Sequence, residues 1–280
     1  MPKSTKKKNG PQPADLALAS LPEFSPRAGL PAKDSIISVT TPTPAASLTM
    51  AGAVVAGPRY RIIHTSEMDE YEEGAISPAH LAAALAAAPT GDSFKGTQRK
   101  AAKLSISTAK TENFKDLKNL IQSLAPETDM TGHTPPISKA STSNRVQEEK
   151  RNVHVKAFIY AASREADNDF HLIIGRDPQA SPEMYMTMEL SGLPPKTSPS
   201  FNKLKAARDA FKKFYDDNLG GSLPGLKYDF PDPPIPVDIE GSLFFDITHA
   251  AGSRPGPKSL KSRMPVIWEV HPITKMVFKS

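Results

Sequence analysis

Residues 150–280 predict an α+β, mainly β domain: a five-stranded OB-like Greek-key barrel with one helix between its third and fourth strands. Three observations predict it. Successive segments alternate apolar and polar residues with the period of strands. One amphipathic helix interrupts them after the third segment. Gly175 and Gly241 fall inside strand patterns, where a small barrel must bend. In "VHVKAFIYAAS", Val153, Val155, Ala157 and Ile159 oppose His154, Lys156, Phe158 and Tyr160. "DFHLIIG" is the second strand. "MYMTMEL" is the third, with Tyr185, Thr187 and Glu189 opposite Met186, Met188 and Leu190. In "SPSFNKLKAARDAFKKFYDD", Phe201, Leu204, Ala207, Phe211 and Phe214 share one helical face. "PVDIEGSLFFDI" is the fourth strand, with Val237, Ile239, Gly241, Leu243 and Phe245 on one side. "PVIWEVH" and "ITKMVF" make the fifth, with a bend expected at Pro272 and Trp268 expected in the core. The competing architecture is an open α+β sheet under one helix.

The first half divides differently. Residues 1–50 are rich in Pro, Ala, Ser and Thr and read as a disordered tail. Residues 51–124 read as a small, mostly helical region. It starts with a short strand around Tyr60–His64. A helix over "AHLAAALAAA" follows, with Ser77 and Pro78 at its start. A second helix is expected over "TENFKDLKNLIQSL", where Phe114, Leu117, Leu120, Ile121 and Leu124 align. Residues 125–149 read as a linker.

Composition narrows the function classes. Only 38% of the 280 residues are hydrophobic and 28 are proline, about twice average usage, so part of the chain is expected outside the core. The absence of cysteine removes disulfides, thiolate metal sites and thiol nucleophiles. The N-terminus has no apolar core after its lysines, and no stretch reaches the roughly 20 apolar residues of a membrane span. The expectation is a soluble, cytoplasmic protein without a membrane partner. A net charge of +5, spread over both halves, requires any nucleic-acid footprint to be local. "GDSFKGTQRK" is not a phosphate loop, since Thr97 stands where the lysine is needed. There is no Gly-x-Ser-x-Gly elbow.

Two constellations carry candidate chemistry. Asp167, Asp169 and His171 precede and open the second strand, while Asp246, His249, Glu269 and His271 lie around the last two. In an OB-like barrel these loops flank one binding face. Together the seven residues are candidate ligands for magnesium, manganese or zinc, and Asp246, His249, Glu269 and His271 are the candidate catalytic group of a nuclease or phosphoesterase. Their spacing is loose. The ordinary reading makes Asp167 and Asp169 turn residues, and puts Glu269 and His271 on the polar face of a strand. The second constellation is the loop "SRPGPKSLKSR", with Arg254, Lys258, Lys261 and Arg263 and no acid among them. It could follow a phosphate backbone, with Phe158, Tyr160 and Tyr185 as stacking residues. The ordinary reading is a solvated loop beside core aromatics.

The segments "NDFHLIIGRDP", "YMTMEL", "IEGSLFFDITH" and "IWEVHPITK" resemble a group of uncharacterised bacterial proteins. That group shares an Asp-x-Asp-x-His-Leu segment, here Asp167, Asp169 and His171. It also shares Phe-Phe-Asp-x-x-His, here Phe244, Phe245, Asp246 and His249, and Glu-x-His-Pro, here Glu269, His271 and Pro272. The resemblance covers residues 150–280 and implies a domain boundary and a bacterial source, but no activity. The leading expectation is a non-enzymatic binding module without a cofactor, its partner single-stranded nucleic acid. The alternatives are a metal-dependent nuclease or phosphoesterase, and a protein-interaction domain without chemistry.

Overall fold

The computed structural model describes residues 29–42, 60–69, 91–252 and 254–279. Five strands close a barrel: β4 (Asn152–Arg164), β5 (Phe170–Gly175), β6 (Tyr185–Leu190), β8 (Ile235–Phe245) and β9 (Trp268–Phe278). Their order around the barrel is β4-β5-β6-β9-β8, and β8 pairs back onto β4 from Ser242↔Asn152 to Ile235↔Ile159. Only the β6–β9 pairing in this ring is parallel. This is the expected OB-like α+β barrel. β9 runs through Pro272 as one strand.

Strand parity divides the barrel wall. Val155, Ile159, Leu172, Ile174, Met186, Met188, Leu243, Phe245, Trp268 and Val270 point inward into one core. Helix α4 (Phe201–Leu219) closes an end of it; the Phe211 ring lies 4.9 Å from that of Phe170. Gly220 ends the helix at φ 75°, a left-handed cap that suits glycine. The register of β8 against β9 slips around Gly241, where a Cβ would lie 2.5 Å from the Pro272 carbonyl oxygen. The bend expected there is a bulge that only glycine fits.

Four further strands extend the sheet. β7 (Asp229–Asp232) pairs with the end of β4 and with β2 (Arg61–Thr65), and β1 (Ile36–Thr40) pairs with β2. β3 (Thr111–Phe114) lies parallel to the start of β4. The tail expected over residues 1–50 falls mostly outside the described residues, but Ile36–Thr40 within it is a strand. The helix over "AHLAAALAAA" also falls outside the described residues. The helix expected over "TENFKDLKNLIQSL" begins only at Leu117 (α2, Leu117–Gln122), where Asp116 caps it by accepting from Lys118 N; Phe114 belongs to β3.

Residues 91–149 wrap the outside of the barrel. They include α1 (Lys100–Lys103), α2 and α3 (Glu127–Thr131). Residues 125–149, expected as a linker, are anchored by buried charges. Glu149 takes both ends of the Arg99 guanidinium at 2.7 and 2.8 Å. Arg145 donates to the carbonyls of Ala102, Ser105, Leu243 and His271. The covering layer therefore reaches the barrel through β8 and β9. Among the described residues, no helix is long and apolar enough to cross a membrane.

Candidate functional site

The residues that alternate with the core face the covering layer. Asp169 and His171 on the β5 side, Thr187 and Glu189 on β6, and Glu269 and His271 on β9 share this outward parity. Register then assembles them. His171 pairs with Glu189, Thr187 with Glu269, and Phe244 with Glu269. Adjacent outward residues on neighbouring strands stand about 4.5–5.5 Å apart at Cβ, so acids and imidazoles meet in rows. The expected polar strand face is real, but it is not solvated: Asp169 and His271 are 0% exposed, His171 and Glu269 1%, and Glu189 3%.

The contacts form a continuous cluster. His271 Nε2 lies 3.3 Å from Asp169 Oδ2, and its Nδ1 lies 2.6 Å from Glu189 Oε2 and 3.7 Å from Glu269 Oε2. His249 Nε2 lies 3.5 Å from Asp246 Oδ2. Lys103 Nζ, from α1, lies 3.4 Å from Asp167 Oδ2 and 4.0 Å from Glu189 Oε2. His171 differs from the other imidazoles. Its Nδ1 meets Glu165 and its Nε2 meets Thr187 Oγ1 at 3.2 Å, so both ring nitrogens have partners. It is a hydrogen-bonded core histidine beside the cluster.

Several buried atoms have no hydrogen-bond partner among the described residues: Asp169 Oδ2, Glu189 Oε2, both Glu269 carboxylate oxygens and both His271 ring nitrogens. A buried polar atom left unpaired costs about 1–3 kcal/mol, and more when charged. Two triads bring ligand atoms within 4.8 Å of one another, Asp169–Glu189–His271 and Asp246–His249–Glu269; Glu165–His171–Glu189 is a third. A pocket of about 200 Å³ opens onto them, lined by Lys103, Glu165, Asp167, Glu189, Asp246 and His249 among others.

The electrostatics reflect this crowding. Burial, with Asp167 and Glu189 adding like charge, holds the Asp169 carboxyl well above the usual range. Burial and the Glu189 and Asp246 carboxylates do the same for Glu269. Burial also opposes ionisation of Glu189, but His271 and Lys103 outweigh it and lower its pKa. Lys103 loses solvation by burial, yet Asp167, Glu189, Asp169 and Asp246 together hold its pKa well above the ordinary value. Burial lowers the His271 pKa against the pull of Glu189.

Of the expected metal candidates, Asp167, Asp169, His171, Asp246, His249, Glu269 and His271 all lie in or beside this cluster. The sequence reading missed Glu189, Glu165 and Lys103. A lone glutamate in the apolar strand "MYMTMEL" was the one available signal for Glu189.

The basic loop is placed differently. Arg254 pairs with Glu127 at 2.6 Å, and Arg263 pairs with Glu183 and lies over the Tyr185 ring. Lys258 and Lys261 fall on a one-turn helix, α5 (Lys258–Lys261). Tyr160 and Tyr185 are 2% and 1% exposed, edge to face at 4.9 Å, in a second apolar cluster with Ile173, Tyr228 and Phe230. Phe158 packs against that cluster. The expectation that Tyr160 and Tyr185 stack bases is corrected: both rings are buried in this cluster, Tyr160 beside a bulge in β4 between Ile159 and Ala161. No family model, no curated protein and no solved structure matches this chain.

Proposed function

We propose that this chain is a metal-dependent hydrolase of phosphate esters, with a divalent cation held at the pocket by Asp246, His249 and Glu269. One observation carries the reading. Glu269 is 1% exposed, neither of its carboxylate oxygens has a hydrogen-bond partner among the described residues, and it faces two further ligand-type side chains. A cation gives those oxygens the partner they lack. Two carboxylates and one imidazole suit manganese or zinc better than calcium, which takes oxygen ligands. When bound, such an ion lowers the pKa of water and polarises a phosphoryl oxygen.

The chain's own groups supply the rest. Thr248 N and Oγ1 donate to Asp246 Oδ1 at 2.8 and 2.6 Å, which leaves Oδ2 facing His249. Lys103 stays protonated on the pocket wall and is the cation placed for an anionic phosphoryl oxygen. Glu165 lines the pocket and would take a proton from the attacking water. In hydrolysis the water oxygen bonds to phosphorus, the ester P–O bond breaks, and the leaving oxygen is protonated from solvent. A nucleic-acid track along the basic loop draws less support, because Arg254 and Arg263 would have to release Glu127 and Glu183.

The test uses p-nitrophenyl phosphate and bis(p-nitrophenyl) phosphate with the full chain. Hydrolysis should require manganese or zinc, stop with chelator, and vanish in Asp246→Ala. A protein that retains no manganese or zinc after loading and gel filtration overturns the reading.

A further inference from the structure

We propose that the cluster holds a second divalent cation, bound beneath the first between Asp169, Glu189 and His271. The inference rests on the reading of the pocket as a cation site and extends it to a two-ion centre. These three residues come from β5, β6 and β9, so the barrel wall itself builds the inner site.

Geometry gives the first argument. The three side chains are 0–4% exposed and offer ligand atoms within 4.8 Å of one another. Asp169 Oδ2, Glu189 Oε2 and both His271 ring nitrogens lack hydrogen-bond partners among the described residues, although they lie 2.6 and 3.3 Å apart in pairs. A neutral imidazole carries one N–H, so one of these two contacts can share its proton while the other sets a ring lone pair against a carboxylate oxygen, and a cation at that second contact reverses the sign. Asp169 is also oriented for the task. Its other oxygen, Oδ1, accepts from Gly192 N, which turns Oδ2 toward His271. The inner and outer sets meet where Glu269 Oε2 lies 3.7 Å from His271 Nδ1.

Charge gives the second. Asp167, Asp169, Glu189, Asp246 and Glu269 face Lys103 as the one lysine or arginine in ion-pair contact with the group among the described residues. Buried charge must be paired. One dication would leave two negative charges on this group, while two leave none. Protonation of Asp169 or Glu269 is the competing way to shed charge, and ion stoichiometry separates the two. The inner ion, closed off from solvent, fixes Glu189 and Asp169; the outer ion meets the substrate.

The experiment is metal analysis of the full chain loaded with manganese or zinc and freed of excess by gel filtration. Two ions per chain are expected, falling to one in His271→Ala and to one in His249→Ala, with circular dichroism confirming each fold. Anomalous scattering from wild-type crystals should place both ions, which keeps the test independent of the variants. A single ion, lost in His249→Ala and kept in His271→Ala, overturns the inner site and leaves the hydrolase reading intact. No bound ion overturns both.

Discussion

Arg99 shows what a single residue holds in this molecule. Its side chain is 2% exposed and grips Glu149, which is 0% exposed, through two hydrogen bonds. It also donates to the carbonyls of Phe245 and Asn144 and lies 4.7 Å from the Phe244 ring centre. Arg99→Ala would leave a buried carboxylate without its main partner, which costs about 3–5 kcal/mol. Arg61 and Asp232 form an ion pair too, but the arginine side chain is 58% exposed, so Arg61→Ala should cost under about 1 kcal/mol. Urea unfolding of the two variants checks the contrast. Because Arg99 and Glu149 share one network, the double variant should lose less than the sum of the single losses. Equal, small shifts for Arg99→Ala and Arg61→Ala would show that the covering layer does not depend on its buried pair.

At the level of elements, the segment Asp92–Phe94 of the covering layer is tied to α4 by charge. Asp92 Oδ2 accepts from Lys212 at 2.6 Å, and Oδ1 accepts from Arg208 at 3.2 Å. Burial works to raise the Asp92 pKa, but the Lys212 hydrogen bond and the Arg208 charge outweigh it, so the folded value lies below the ordinary one. A depressed folded pKa gives stability that is present above the unfolded value, about 3.9, and is lost as pH falls through the folded value. The stability gap between wild type and Asp92→Asn should therefore close below about pH 4; a gap that persists in acid assigns it to something other than this carboxylate. The barrel elements were legible because β4, β5, β6, β8 and β9 keep a period of two over most of their length, broken at the bulges by Tyr160 and Gly241. β3 was not: Glu112, Asn113 and Phe114 also fit a helix, and only parallel pairing with Val153–Val155 makes them a strand. Residues 125–149 have no apolar period, and their anchors, Arg145 and Glu149, act on partners far along the chain. The site was legible in part. Asp169 and His171, like Glu269 and His271, stand two apart and so share a strand face, but a polar face reads as solvated until a covering layer is known. The acidic partners of the basic loop were hidden for the same reason, since Glu127 and Glu183, which pair with Arg254 and Arg263, are remote in sequence.

For the whole molecule, the barrel and its covering layer share one set of charges. The barrel strands supply Glu189, Glu269 and His271, while α1 supplies Lys103. Covering these carboxylates strips them of solvent, which opposes folding, and cations bound at the two proposed sites would offset that cost. A ligand that binds only the folded state stabilises it by about 2.7 kcal/mol at a hundred times its dissociation constant. In a domain of roughly 150–250 residues each kcal/mol moves the melting temperature about 2–4 °C. Saturating manganese should then raise the melting temperature by about 5–10 °C for each ion bound, and chelator should reverse it. Asp246→Ala separates the two contributions, because it removes a ligand of the proposed outer ion and leaves the proposed inner triad whole. That variant should keep roughly half of the manganese-dependent rise while losing all hydrolysis. If manganese binds but the melting temperature of the wild type stays fixed, the ions do not offset the burial of these carboxylates, and that burial must be explained by protonated carboxyls instead.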